Sequence, residues 1–156
     1  MKLHLIAVGH KMPGWISAGY DDYARRMTPD LPLVLTEIKP GHRVAGEDGA
    51  KARQLEAARI LAALPAGCAP VALDERGTQA STRELAGWLH DWMAEGVSPA
   101  FIIGGADGLD ASVKARAGRL LGLSRLTLPH AFARVMLTEQ LYRAVCILKG
   151  HPYHRD

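Results

Sequence analysis

The chain has few of the residues that build metal centres or disulfide frameworks. Its 156 residues include two cysteines, Cys68 and Cys146, which stand far apart with no CxxC pair and no histidine at ligand spacing. A zinc site and a disulfide scaffold are therefore not expected, no metal is expected, and both thiols read as buried or half-buried. No apolar stretch reaches the length of a membrane span, and there is no repeat or low-complexity segment. Met1-Lys2 leads into Leu3–Val8, a run that stops at Gly9-His10-Lys11 without a small-residue cleavage site. A cytoplasmic protein is the expectation.

What is present fits one compact α/β domain over residues 1–156, because a chain of this length with 48% hydrophobic residues cannot fill two independent cores. The net charge of +3 permits an RNA partner without selecting one. Five runs rich in Val, Ile and Leu read as strands: Leu3–Val8, Leu33–Ile38, Pro70–Asp74, Ala100–Ile103 and Ser124–Leu128. Between them, helical spacing covers Trp15–Met27, Gly49–Leu64, a segment from Ser81 to Gly96, one after Gly108, and Ala131–Leu148. Ser81-Thr82-Arg83-Glu84 has the capping-box pattern. The alternation implies a mostly parallel sheet with helices on both faces. Lys39–Gly49 reads as a mobile, basic surface loop. The last helix is apolar on more than one face, with Leu141 and Val145 among its residues; a subunit interface is the preferred explanation, against burial inside one chain.

Three segments have the composition for chemistry. Ile102-Ile103-Gly104-Gly105-Ala106-Asp107-Gly108-Leu109 runs a strand into a glycine-rich turn, where a ligand can approach the backbone. The order GGxxG after the fourth strand is not the GxGxxG of a dinucleotide fold, and a ligand-free turn explains the string equally well. Leu123–Leu128 is followed by Pro129-His130; a histidine there either lines a pocket or makes a structural hydrogen bond. The end, Gly150-His151-Pro152-Tyr153-His154-Arg155-Asp156, is a tail by default, yet its composition suits a stacked base and a phosphate. Glu139 and Arg143, at i,i+4, read first as a plain ion pair.

LIAVGHKM, VALDERG, IIGGADGL, LTLPHAFARVMLTEQLYRA and HPYHRD, in this order, resemble the SPOUT methyltransferases, and in particular their minimal ribosomal RNA type, over the full length. The resemblance implies a SPOUT-type α/β knot, a mostly parallel sheet flanked by helices with a C-terminal trefoil knot. It implies S-adenosyl-L-methionine, bound in a bent pose among three loops at Leu73, Gly104, and Leu123, Ser124, Arg125, Leu126, Thr127 and Leu128. It further implies methyl transfer to N3 of a pseudouridine in helix 69 of 23S rRNA, on the assembled ribosome, by a homodimer. For removal of the N3 proton His154 is the first candidate, with Tyr153 positioning or stacking and Arg155 or Arg143 holding phosphate. The rival readings are a knotted RNA-binding module without activity, a nucleotide-dependent oxidoreductase and a transfer-RNA methyltransferase.

Overall fold

A computed structural model describes residues 1–155; Asp156, the last residue of the terminal segment singled out above, lies outside the described residues. The chain runs β1 (Leu3–Val8), α1 (Gly14–Ala24), β2 (Leu33–Ile38), α2 (Ala50–Ala63), β3 (Ala69–Gln79), α3 (Thr82–Glu95), β4 (Pro99–Ile103), α4 (Ala111–Arg116), β5 (Arg119–Gly122) and α5 (His130–Lys149). The sheet has the order β2-β1-β4-β3-β5, and every pair is parallel.

The central strands are apolar without alternation because both of their faces are covered. Leu3, Leu5 and Ala7 of β1 point into one core with Tyr20 of α1, Leu85 and Leu89 of α3, and Leu137, Leu141 and Val145 of α5. Ile6 and Val8 point the other way, to Ala57 and Ile60 of α2 and Val113 of α4. Leu141 and Val145 are thus buried in the chain's own core, which corrects their assignment to a subunit interface. The reason lies in α5's position between α1 and α3, which covers two of its flanks at once.

Other expectations meet the structure more directly. The capping box closes as read: the Ser81 amide donates to Glu84 Oε2 at 2.6 Å and the Glu84 amide to Ser81 Oγ at 3.1 Å. The helical spacing of Trp15, Ile16, Gly19, Tyr20 and Tyr23 puts them on one stripe of α1, yet Trp15 is 62% exposed while Ile16 and Tyr20 are buried. The segment Lys39–Gly49 is tied down at three places: Gly41 donates to Glu56, Arg59 donates to the carbonyls of Lys39 and Pro40, and Arg43 pairs with Asp107.

The fifth strand is four residues long and ends at Gly122; Ser124–Leu128 is a loop, not a strand. The leucine-rich stretches look alike, but only Arg119–Gly122 pairs with the edge of β3. Ser124 then turns the chain by accepting the Leu126 amide at 2.9 Å, and Leu126 is left 74% exposed. β3 is correspondingly longer than Pro70–Asp74. Its register breaks between Leu73 and Thr78, both of which face Leu121, and Asp74–Gly77 bulges away from the ladder. A Cβ on Gly77 would lie 2.7 Å from the backbone of Leu121 and Gly122, so glycine permits this close return.

Candidate functional site

In an open parallel sheet the crevice beyond the carboxyl ends of the strands is the natural ligand site, because successive loops part there. Here three loops meet at that edge. Leu73, Asp74 and Glu75 come from the bulge of β3; Ile103, Gly104, Gly105, Gly108 and Leu109 come from the turn after β4; Leu123, Ser124, Leu126 and Leu128 come from the loop after β5. His130 and Ala133, in the first turns of α5, complete the wall. Of the positions assigned to the cofactor, Leu73, Gly104, Leu123, Ser124, Leu126 and Leu128 are brought together in this pocket. Arg125 and Thr127 belong to the same loop but point to solvent, Thr127 donating to Glu75 at 3.3 Å.

The glycine turn is held by its own backbone, with the Gly108 amide donating to the Gly105 carbonyl at 3.1 Å and Gly108 at φ +76°. A Cβ on Gly104 would stand 2.8 Å from the Gly108 carbonyl carbon and 3.0 Å from Leu109 Cγ. Glycine is required at 104 for closure of the turn, rather than to leave ligand space alone. Beneath the turn, Glu56 is 5% exposed, and its Oε1 accepts the Gly41 amide at 3.1 Å while Oε2 is buried without a hydrogen bond.

The pocket's charge is informative. Among the described residues its wall includes two carboxylates and a histidine but no lysine or arginine. The Lys114 ammonium, 2.8 Å away, holds the Asp74 carboxyl below its ordinary value. Burial, and after it the charge of Arg134, push the His130 imidazole down. The cations of this edge, Arg53, Arg76 and Lys114, line an adjoining cavity that shares Leu73, Asp74, Glu75, Gly108 and Leu109, while the pocket wall itself suits a ligand with an apolar ring system and a positive centre.

The residues considered for catalysis gather elsewhere. α5 stops at Gly150 in the left-handed region, φ +67°, with His151 donating to the Cys146 carbonyl at 2.9 Å. The chain then folds back, and the Tyr153 hydroxyl donates to Glu139 Oε1 at 3.0 Å. Arg143 also holds that oxygen, with Nε at 2.9 Å, and its guanidinium lies 4.7 Å from the Tyr153 ring centre. The expected Glu139–Arg143 pair therefore exists and has Tyr153 as a third member. Tyr142 packs on Tyr153 at 4.7 Å; burial, followed by the bond to Glu139, pushes the Tyr153 hydroxyl well above the usual phenol value. His154 is half-buried and Arg155 exposed beside this cluster. On α5, Glu139 and Arg143 are six and ten residues beyond Ala133, about 9 and 15 Å along the axis at 1.5 Å per residue, so the cluster stands apart from the pocket wall.

Sequence reasoning missed Asp74, Glu75 and Arg134. Arg134 is 3% exposed; it donates to Glu37 at 2.8 Å and to the Gly9 carbonyl at 3.4 Å, joining α5 to the ends of β1 and β2. An arginine among apolar residues in the first turns of a long helix was the available signal.

Comparison with known proteins agrees with this arrangement. The family model described as "Predicted SPOUT methyltransferase" matches residues 1–154. A protein of Thiobacillus denitrificans named ribosomal RNA large subunit methyltransferase H is 78% identical over 156 residues, covering all of both chains. One of the same name from Paraburkholderia xenovorans is 56% identical over 155 residues, 99% of each chain. Among solved structures, a probable methylase family protein from Haemophilus influenzae has the same fold with a TM-score of 0.60 at 14% identity, over 99% of this chain and 70% of that one. A probable methyltransferase from Bordetella pertussis gives 0.55 at 17% identity, over 92% and 93%. With a five-stranded parallel sheet, a three-loop pocket at its carboxyl edge and full-length identity at this level, the chain belongs to the SPOUT methyltransferases, within the ribosomal RNA large subunit methyltransferase H group.

Proposed function

We propose that the protein methylates N3 of a pseudouridine in helix 69 of 23S rRNA on the assembled ribosome, with S-adenosyl-L-methionine as donor. One observation carries the cofactor reading: the pocket at the sheet's carboxyl edge is apolar, edged by glycine backbone, and carries carboxylates without lysine or arginine. Leu73, Gly104 and the segment Leu123, Ser124, Arg125, Leu126, Thr127 and Leu128 would hold the adenosine part by backbone groups and apolar walls. S-adenosyl-L-methionine, when bound, supplies an electrophilic methyl carbon on a positive sulfur. The protein's own residues then have two tasks, alignment and proton removal.

For those tasks we infer a homodimer. The pocket lies at the first turns of α5 and the terminal cluster folds back on its middle, around Glu139 and Arg143, and a second copy would join the two into one site. A two-fold arrangement of antiparallel α5 helices would set the His154 end of one copy at the pocket of the other. The partly exposed side of α5 at Phe132 and Met136 supports this, as does the pairing of exposed Phe132 with exposed Trp15, ring centres 6.5 Å apart. In this assembly His154 takes the N3 proton, Arg155 and Arg143 face phosphate, and Tyr153 sets the geometry by fixing Glu139 and Arg143. The C-terminal trefoil threading of the family goes with the same reading, and no metal enters it.

The test is transfer of labelled methyl groups to intact ribosomes, free subunits and naked rRNA in parallel, followed by mapping of the modified nucleotide. Label confined to a helix 69 pseudouridine in intact ribosomes is expected; label in transfer RNA, or none with any RNA, would remove the reading. His154→Ala should slow transfer more at neutral than at alkaline pH, whereas Arg155→Ala should weaken ribosome binding and flatten its salt dependence.

A further inference from the structure

We propose that His130 makes this pocket's preference for a positively charged methyl donor over the neutral thioether left after transfer depend on pH, with the buried Arg134 guanidinium behind the imidazole keeping it uncharged at neutral pH. The inference rests on the cofactor reading above. His130 opens α5 and lines the same pocket as Gly104, Asp74 and Glu75. Arg134, one helical turn on, lies behind it and is almost fully buried. Its two terminal nitrogens are committed, Nη1 to Glu37 at 2.8 Å and Nη2 to the Gly9 carbonyl at 3.4 Å. Gly9, at φ +121°, is the point where these groups converge: a Cβ there would be 3.7 Å from Arg134 Nη2 and 3.8 Å from His130 Cε1. The imidazole and the guanidinium thus flank one glycine, and the guanidinium cannot swing aside without breaking the bonds that join α5 to β1 and β2.

A fixed cation behind an imidazole, together with partial burial, opposes protonation of that imidazole, and His130 is held below its ordinary value of 6.5. The charged groups on the rest of the pocket wall are Asp74, kept charged by its bond to Lys114, and Glu75; Arg53, Arg76 and Lys114 line the adjoining cavity that shares these two carboxylates. Glu37 neutralises Arg134 from the far side. At neutral pH a sulfonium therefore meets a neutral ring and carboxylates. Once His130 is protonated, it meets a like charge at close range in a partly desolvated pocket, where such repulsion is strong. The thioether product carries no charge on sulfur and is indifferent to the change. His10, exposed in the Gly9 turn, and His42, in the loop whose Gly41 and Arg43 bond to Glu56 and Asp107, are further imidazoles at this end of the sheet.

The experiment is calorimetric binding of S-adenosyl-L-methionine and S-adenosyl-L-homocysteine to the full-length protein between pH 7 and pH 5. The two ligands share the adenosine and amino-acid parts, so the ratio of their affinities reports the charge on sulfur. In the unmodified protein the ratio should move toward the thioether by about tenfold as the pH falls, in line with a like charge a few ångströms away. His130→Gln should flatten the profile, His10→Gln should keep it, and Arg134→Met, which removes the cation behind the ring, should move the fall to higher pH. A ratio that stays constant in the unmodified protein, or falls equally in His130→Gln, would overturn the inference and leave the cofactor reading standing. Binding of neither compound at pH 7 would remove both.

Discussion

At the residue scale, Glu56 departs most from ordinary expectation. It is a buried carboxyl under the glycine turn whose Oε1 accepts one amide while Oε2 accepts none. Burial raises its folded-state value above the ordinary 4.5, and the bond from Gly41 opposes that only in part. The sign follows: between the ordinary value and the raised one, the native state holds a proton that the unfolded state has lost. Stability from this group is complete below about pH 4.5 and is lost as the pH rises through the folded value. Glu56→Gln keeps an acceptor for Gly41 and removes the titration. Urea denaturation should therefore show the variant at least as stable as the unmodified protein at pH 8, with the difference shrinking toward pH 4. A variant less stable at pH 8 than at pH 4, relative to the unmodified protein, would mean that the ionised carboxylate has a partner that stabilises it.

At the scale of elements, α3 is the helix most completely specified by local chemistry. Ser81 and Glu84 close its start, and Gly96, at φ +71°, closes its end by donating to Met93. Only Leu85, Ala86 and Leu89 are buried, so its packed face is modest. Loss of the cap should be felt accordingly: Ser81→Ala is expected to cost about 1 kcal/mol in global stability without affecting ligand binding. Thermal denaturation at constant pH measures it, and an unchanged midpoint would mean that packing against α5 alone sets the register of α3. By contrast α5 has no side-chain cap at its start and ends on its own backbone. It is specified by its surroundings, the sheet below and α1 and α3 beside it.

For the whole molecule, the correction at Leu141 and Val145 changes which residues can report on assembly. Charges at those positions would unfold the chain, because both lie in its own core. The exposed pair Trp15 and Phe132 is the informative one. Trp15→Glu combined with Phe132→Glu should leave a native circular-dichroism spectrum and the cofactor pocket, yield monomers by sedimentation, and lower methyl transfer to ribosomes by about 100-fold, the scale of lost alignment. A dimer that persists with full activity would place the two-fold contact on another face. The terminal segment also divides at Tyr153. That ring packs on Tyr142 and its hydroxyl holds Glu139, so Tyr153→Ala should reduce stability, whereas removal of His154 to Asp156 should spare the fold and the cofactor affinity and abolish most transfer.

Local features were legible in the amino-acid order because they depend on near neighbours. Four of the five strands, the helices to within a few residues, the Ser81 capping box and the Glu139–Arg143 pair were of this kind, and the motif strings pointed to the family. What the order alone could not settle was a matter of partners distant in the chain. The two leucine-rich stretches from Arg119 to Leu128 have the same local preference, and only the free edge of β3 selects the first as strand. The bulge at Asp74–Gly77 exists because Gly77 can return against Leu121 and Gly122; it brings Asp74 and Glu75 to the pocket, and no pattern around them announces it. Arg134, which nothing in the local pattern singles out, gains its meaning from Glu37 and Gly9, 97 and 125 residues earlier. The sequence by itself determined the elements and the chemistry available. The tertiary structure decided which groups share a wall, because burial, charge and close backbone approach are properties of neighbours in space.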